Sequence, residues 1–232
     1  MINNKIKKYC QRILRIFGYR LIKVPRVDIP QTREFYDSRD DFNALYEQIR
    51  EYTLVSKNRL FMIYQLLKFS ADLEGDVAEV GVYKGGTAKL IAKTALLKSC
   101  HLFDTFSGMP AICTEVDIHR ENDFGDVSLK SVKSFLRDCP NVSFYPGIFP
   151  DTASLIKDKK FSFVYIDVDI YKSMKDCLEF FYDRVVSRGV IVIDDYGAPA
   201  CPGVKKAVSE FLLDKREYPI VTTGIQCAII KY

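Results

Sequence analysis

Asp76-Val77-Ala78-Glu79-Val80-Gly81-Val82-Tyr83-Lys84-Gly85-Gly86-Thr87, followed after a helical stretch by His101-Leu102-Phe103-Asp104, decides how this chain folds. A short apolar strand runs into a turn with three glycines, a helix follows, and the next apolar strand closes on a carboxylate. This is the opening βαβ unit of a nucleotide-binding sheet. Working outward, strands near 76–81, 100–104, 142–146, 161–167 and 189–194 alternate with helices near 86–97, 127–138, 151–157, 172–185 and 203–214. Strands near 219–222 and 226–231 end the chain as a hairpin. The order predicts an α/β fold with a mostly parallel, Rossmann-like sheet, helices on both faces, and one antiparallel hairpin strand inserted between two parallel ones. Two helices, 40–51 and 58–69, lead into the sheet, and the long loop 105–126 reads as a lid or binding loop.

The first turn narrows the ligand. Gly81, Gly85 and Gly86 allow the backbone to turn tightly and to approach a bound molecule. A dinucleotide fingerprint is G-x-G-x-x-G, with its middle glycine clearing room for pyrophosphate. Here Val82 follows Gly81 and the pattern is E-x-G-x-x-x-G-G. Glu79 adds a charge that repels phosphate but suits an ammonium or sulfonium group, which favours S-adenosylmethionine. Asp104, at the tip of the second strand, is placed to accept hydrogen bonds from ribose hydroxyls. The alternatives are an ordinary α/β turn with a capping acid, and a nicotinamide-dependent oxidoreductase, which calls for the missing phosphate-tolerant turn.

Acids recur at the carboxyl ends of later strands. Phe163-Val164-Tyr165-Ile166-Asp167-Val168-Asp169-Ile170-Tyr171 is a buried type of strand ending in D-x-D, and Val190-Ile191-Val192-Ile193-Asp194-Asp195-Tyr196-Gly197 ends in D-D. Bare, these four carboxylates repel one another and rise in pKa. A hard divalent cation such as Mg²⁺ relieves that cost and keeps positions open for substrate oxygens. Helix capping by each Asp is the plainer alternative.

The chain has 232 residues and 48% hydrophobic content, enough for one sheet covered on both faces. Its seven cysteines show no C-x-x-C spacing, so neither a zinc knuckle nor a disulfide framework is expected, and a reducing cytoplasm fits. No apolar run is long enough to span a bilayer, and 1–24 does not resemble a signal peptide. Residues 1–27 hold eight basic side chains and no acid, so with a net charge of +4 the remainder carries −4. At helical spacing, Ile2, Ile6, Tyr9, Cys10, Ile13, Leu14, Ile16 and Phe17 fall on one arc and Lys5, Lys7, Lys8, Arg12 and Arg15 on the other. This basic amphipathic arm, residues 2–17, suits peripheral contact with the inner membrane face, or packing on its own domain or across a homo-oligomer. Nucleic acid is not expected as a partner, because the acidic body offers no second basic patch. Pro25 and Pro30 mark a linker, which divides the chain into an arm at 1–30 and a domain at 31–232, with a helical lead-in over 31–75 and the sheet over 76–232.

Six motifs in order then resemble the macrocin O-methyltransferase family, a group of class I methyltransferases. They are Thr53-Leu54-Val55-Ser56, the Glu79 to Thr87 loop, Asp104-Thr105-Phe106-Ser107-Gly108-Met109-Pro110, Pro146-Gly147-Ile148-Phe149-Pro150-Asp151-Thr152, Asp167-Val168-Asp169-Ile170-Tyr171-Lys172-Ser173 and Ile193-Asp194-Asp195-Tyr196-Gly197. The resemblance runs from about Tyr52 to Phe211. It implies methyl transfer from S-adenosylmethionine to a sugar hydroxyl with Mg²⁺ beside the acceptor. By resemblance, Asp167, Asp194 and Asp195 hold the metal. Thr53, Glu79, Gly81, Tyr83, Gly85, Gly86, Asp104, Gly147, Phe149 and Asp167 line the cofactor site, with Phe149 standing where the family often has tryptophan. Catechol O-methyltransferases share the metal logic but carry a lysine base three residues past the first metal acid, where this chain has Ile170. The base is therefore open among Asp167, Asp169 and His119, while His101 reads as structural. The expected acceptor is a small-molecule or lipid-linked sugar, on a surface glycan or a glycosylated natural product.

Overall fold

The structure, a computed structural model, describes Tyr36, 38–112, 115–222 and 224–232. The basic arm and linker expected over 1–30, and the first residues of the lead-in, lie outside the described residues. The chain divides between Asp37 and Ser38, and every element named below belongs to the unit Ser38–Tyr232.

The lead-in forms α1 (Asp40–Ile49), a 3-10 turn at Arg50–Tyr52, and α2 (Lys57–Phe69). In α2 the buried positions Leu60, Phe61, Ile63, Tyr64 and Leu67 recur at helical spacing, so one stripe of the helix faces the protein. The sheet comprises β1 (Asp76–Val80), β2 (Cys100–Asp104), β3 (Val142–Pro146), β4 (Phe161–Ile166), β5 (Val185–Ile193), β6 (Ile220–Val221) and β7 (Cys227–Ile230). Between them run α3 (Gly86–Thr94), α4 (Leu129–Phe135), a 3-10 segment (Asp151–Ile156), α5 (Tyr171–Phe181) and α6 (Pro202–Phe211). The strand order is β3-β2-β1-β4-β5-β7-β6. The first five strands pair in parallel, and β7 runs antiparallel between β5 and β6, as the sequence pattern predicts.

Strand alternation sorts the core. Ala78, Val80, Phe103, Val164, Ile166, Ile191 and Ile193 share one apolar cluster with Met174, Cys177, Leu178 and Phe181 of α5 and Val204, Ala207 and Val208 of α6. The intervening residues, among them Glu79, Tyr165 and Val192, face the other way and are fully buried. Since the strand order reverses between β1 and β4, the carboxyl ends of these two strands open a crevice, the position where ligands bind on such sheets.

Several element boundaries differ from the sequence pattern. The helix expected over 151–157 is a 3-10 segment, and α5 stops at Phe181 because β5 already begins at Val185. Pairing between β4 and β5 shifts register between Phe161 and Phe163, and Arg188 takes φ 66°, so a bulge hides the early part of the strand from a period-two reading. No helix among the described residues is long and apolar enough to cross a membrane. The five cysteines described, Cys100, Cys139, Cys177, Cys201 and Cys227, are free and buried.

Candidate active site

The crevice holds a cavity of about 200 Å³ lined by the ends of β1, β2 and β4, the 3-10 turn before α2, and the loops after β2 and β3. Its first wall is the turn after β1. Gly81 takes φ 88°, and a Cβ there would stand 1.8 Å from Asp167 O, so only glycine lets β1 and β4 approach this closely. Gly86 is bare for a different reason: a Cβ would strike Tyr52 O at 2.7 Å and Thr53 Cβ at 2.8 Å, where the 3-10 turn docks on α3. Thr53 Oγ1 lies 3.2 Å from Thr87 Oγ1 and seals the same junction.

Asp104 organises this turn. Its Oδ2 accepts hydrogen bonds from Val82 N (2.7 Å) and Tyr83 N (2.9 Å), and its Oδ1 accepts from Phe106 N (2.6 Å). Two amides that the glycine-rich turn was expected to offer a ligand are therefore occupied by Asp104. A carboxylate has about four acceptor positions, and the Thr105 hydroxyl, 3.4 Å from Oδ1, donates at 2.5 Å to Gly108 O instead, so one position is left for a hydroxyl donor. Tyr83 takes φ 49° and its hydroxyl donates to Asp126 Oδ1 at 2.8 Å, while Lys84 Nζ pairs with Asp126 Oδ2 at 2.6 Å. These contacts tie the far end of the loop after β2 to the turn. The same loop is anchored at Asp117, whose Oδ1 accepts from Tyr171 N at the start of α5 (2.8 Å).

Of the expected cofactor residues, Thr53, Gly81, Tyr83, Asp104, Gly147, Phe149 and Asp167 line the cavity. Glu79, Gly85 and Gly86 lie behind its wall. Glu79 is fully buried, and neither of its carboxylate oxygens has a partner among the described residues. Burial together with nearby Asp104 pushes its pKa well above the carboxylate range. Phe149 does not stand free for stacking: it packs on Phe181 (5.4 Å, stacked) and edge-on to Phe103 and Phe180.

The acids form the second wall. Asp167, Asp169 and Asp195 each offer an oxygen within 4.8 Å of the others. Burial and the neighbouring Asp194, Asp169 and Asp195 push the pKa of Asp167 well up. Burial and a hydrogen bond shared with Asp169 bring Asp195 to about 8. No group among the described residues compensates this trio fully, and three convergent carboxylate oxygens fit a hard divalent ion. Asp194, expected with Asp167 and Asp195, stands beside both, with its oxygens already engaged. Its Oδ1 is 2.7 Å from Arg59 Nη1 and its Oδ2 is 2.7 Å from the Tyr165 hydroxyl, which also lies 3.1 Å from Asp167 Oδ2. The structure thus adds Asp169 to the expected acids, while Asp194 adjoins them through Tyr165 and Arg59. Asp169 and Asp195 take φ 58° and 56°, left-handed values that Asp tolerates better than most residues and that re-aim both side chains into the crevice.

His119, a candidate base, does not line the cavity. Its Nδ1 is 3.2 Å from Asp123 Oδ2 and its Nε2 is 3.6 Å from Cys201 Sγ. His101 holds strand starts together, between Tyr145 Oη (2.8 Å) and Asp76 Oδ2 (2.9 Å). Arg59 is the site residue that the sequence reading missed. One signal was present: α2 opens with Lys57 and Arg59 and no acid in its first turn, which disfavours a helix start unless an anion lies opposite.

Comparison with known proteins gives the family and the fold. Residues 22–227 match the family of macrocin-O-methyltransferase (TylF). The demethyldecarbamoylnovobiocin O-methyltransferase of Streptomyces niveus is 27% identical over 209 residues, covering 78% of each chain. The 8-demethyl-8-(2,3-dimethoxy-alpha-L-rhamnosyl)-tetracenomycin-C 4'-O-methyltransferase of Streptomyces olivaceus is 32% identical over 145 residues, covering 55% of each. The solved structure of the O-methyltransferase NovP superposes with a TM-score of 0.68 at 26% identity, over 78% of this chain and 82% of that one. With a family match over most of its length, the chain belongs to the macrocin-O-methyltransferase family.

Proposed function

We propose that this protein transfers a methyl group from S-adenosylmethionine to a sugar hydroxyl, assisted by a divalent cation such as Mg²⁺. The observation that carries the reading is the meeting, in one crevice, of a ribose-competent Asp104 with Asp167, Asp169 and Asp195, which Arg59, 3.7 Å from Asp195, compensates only in part. Bound S-adenosylmethionine supplies an electrophilic methyl, and a bound divalent cation supplies Lewis acidity toward the acceptor oxygens.

The chain's own residues do the rest. Asp104 accepts from a ribose hydroxyl while it keeps the turn after β1 in place. Asp167, Asp169 and Asp195 hold the cation, and Arg59 neutralises Asp194 so that the crevice is not overloaded with negative charge. Asp169 is the acceptor for the hydroxyl proton in this reading, because it lines the cavity whereas His119 does not. Val168, Phe103 and Met109 exclude water from the reacting end. Two relatives named for glycosylated or natural-product substrates support a sugar acceptor. A lipid-linked glycan is the acceptor form that would use the basic arm at 2–17.

Calorimetric titration with S-adenosylmethionine, and separately with NAD, each with and without Mg²⁺, tests the reading. Binding of S-adenosylmethionine and not NAD is expected, and the reverse would return the chain to the oxidoreductase alternative.

A further inference from the structure

At the margin of the crevice three side chains of different chemistry meet: His119 from the loop after β2, Asp169 after β4, and Cys201 immediately before α6. One ligand atom of each lies within 4.8 Å of the others. Cys201 Sγ is 3.6 Å from His119 Nε2 and 3.4 Å from Asp169 Oδ1. A tetrahedral ion with sulfur at about 2.3 Å and nitrogen or oxygen at about 2.0–2.2 Å separates sulfur from either atom by about 3.5 Å. We propose that His119 Nε2, Cys201 Sγ and Asp169 Oδ1 form a binding site for a thiophilic divalent cation of the zinc type, distinct in ligand chemistry from the all-oxygen cluster.

The surroundings of His119 support this assignment. Its Nδ1 faces Asp123 Oδ2 at 3.2 Å, and that oxygen also accepts from Arg120 N at 2.9 Å. A carboxylate accepts only, so Nδ1 keeps its proton and donates to Asp123, which leaves the Nε2 lone pair directed at Cys201. The same carboxylate–histidine arrangement orients imidazole ligands in zinc proteins. A thiol, an imidazole and one carboxylate select zinc or cobalt over Mg²⁺, because soft sulfur is a poor ligand for a hard ion. Loading forms the metal–sulfur bond with release of the thiol proton to solvent. It would also withdraw Asp169 from the crevice, and under the proposed methyl transfer this removes the proton acceptor.

The test uses the full-length protein and Co²⁺ as a spectroscopic stand-in for Zn²⁺, reading the thiolate-to-cobalt charge-transfer band in the near ultraviolet. A band saturating at one equivalent is expected, bleached by stoichiometric Zn²⁺ and weakened by Mg²⁺ only in large excess, because the two clusters share Asp169. Cys201→Ser should abolish it while S-adenosylhomocysteine still raises the melting temperature, which shows that the variant is folded. His119→Ala should weaken cobalt binding by more than the roughly 10–100-fold that loss of an outer partner costs. Absence of a band in the parent protein, or a band that persists in Cys201→Ser, overturns the site. Neither readout uses methyl transfer, so failure of the metal site and failure of the proposed activity are separable.

Discussion

Arg59 Nη1 lies 2.7 Å from Asp194 Oδ1, so a cation from the lead-in helix neutralises a fully buried acid at the end of β5. Burial works against the Arg59 charge, but Asp194 outweighs it and holds the guanidinium pKa above its ordinary value. Arg59→Met keeps much of the side-chain volume and leaves Asp194 buried with only the Tyr165 hydroxyl and Asp195 N as hydrogen-bond donors and no cation. The expected loss is about 3–5 kcal/mol of unfolding free energy, the cost of breaking a buried pair from one side. Urea unfolding measures it, and a loss within experimental error would show that the Arg59–Asp194 pair does not stabilise the fold.

Asp104 serves the turn and, on our reading, the ribose. Asp104→Asn retains one oxygen acceptor but removes the charge that two amides of the turn share. S-adenosylhomocysteine affinity should fall about tenfold or more, since charge-assisted hydrogen bonds are worth about 1.5–3 kcal/mol each. Equal affinity in parent and variant, read by calorimetry, would exclude Asp104 from the nucleoside site.

Metal removal separates the acids. Chelation with EDTA should abolish methyl transfer yet leave S-adenosylhomocysteine binding within a few fold, because the proposed cation acts on the acceptor. Asp195→Ala should lose transfer without rescue by excess Mg²⁺. Asp169→Asn should lose transfer more steeply than Mg²⁺ affinity if Asp169 takes the proton. Full turnover by demetallated protein would sink the cation assignment.

Glu217 makes acid sensitivity predictable. Burial raises its pKa, but hydrogen bonds from the Tyr182 hydroxyl, from Tyr232 N (3.2 Å) and from Lys231 (3.1 Å) prevail and bring it to about 2. An acid whose folded pKa lies below its unfolded value binds fewer protons in the native state. Its stabilisation is therefore complete above the ordinary value of 4.5 and is lost as pH falls through about 2. The contribution is at most about 3 kcal/mol at neutral pH, reduced where solvent screens the cluster. Glu217→Gln should lower the melting temperature at pH 7 and converge with the parent near pH 2. Curves that stay parallel down to that pH would remove Glu217 as the cause.

What the sequence by itself determined is local and periodic. Short continuous apolar runs placed the strands, and the helical spacing between them required parallel crossovers. Acids directly after strands β4 and β5 had to emerge at one sheet edge, because parallel strands put all their carboxyl ends together. Even the direction of Asp194 follows from alternation, which carries it to the face of Tyr165 and Val192. The tertiary structure decided which groups satisfy those acids. Alternation sends Asp195 away from Asp167, but its left-handed backbone turns it back, and no pattern of residue types encodes that φ. Arg59 reaches Asp194, and His119 and Cys201 reach Asp169, across separations at which sequence spacing carries no distance information. The orphaned carboxylate of Glu79 belongs to the same class: a strand position is legible in one dimension, whereas the absence of a partner among the described residues around it is a property of everything packed against it.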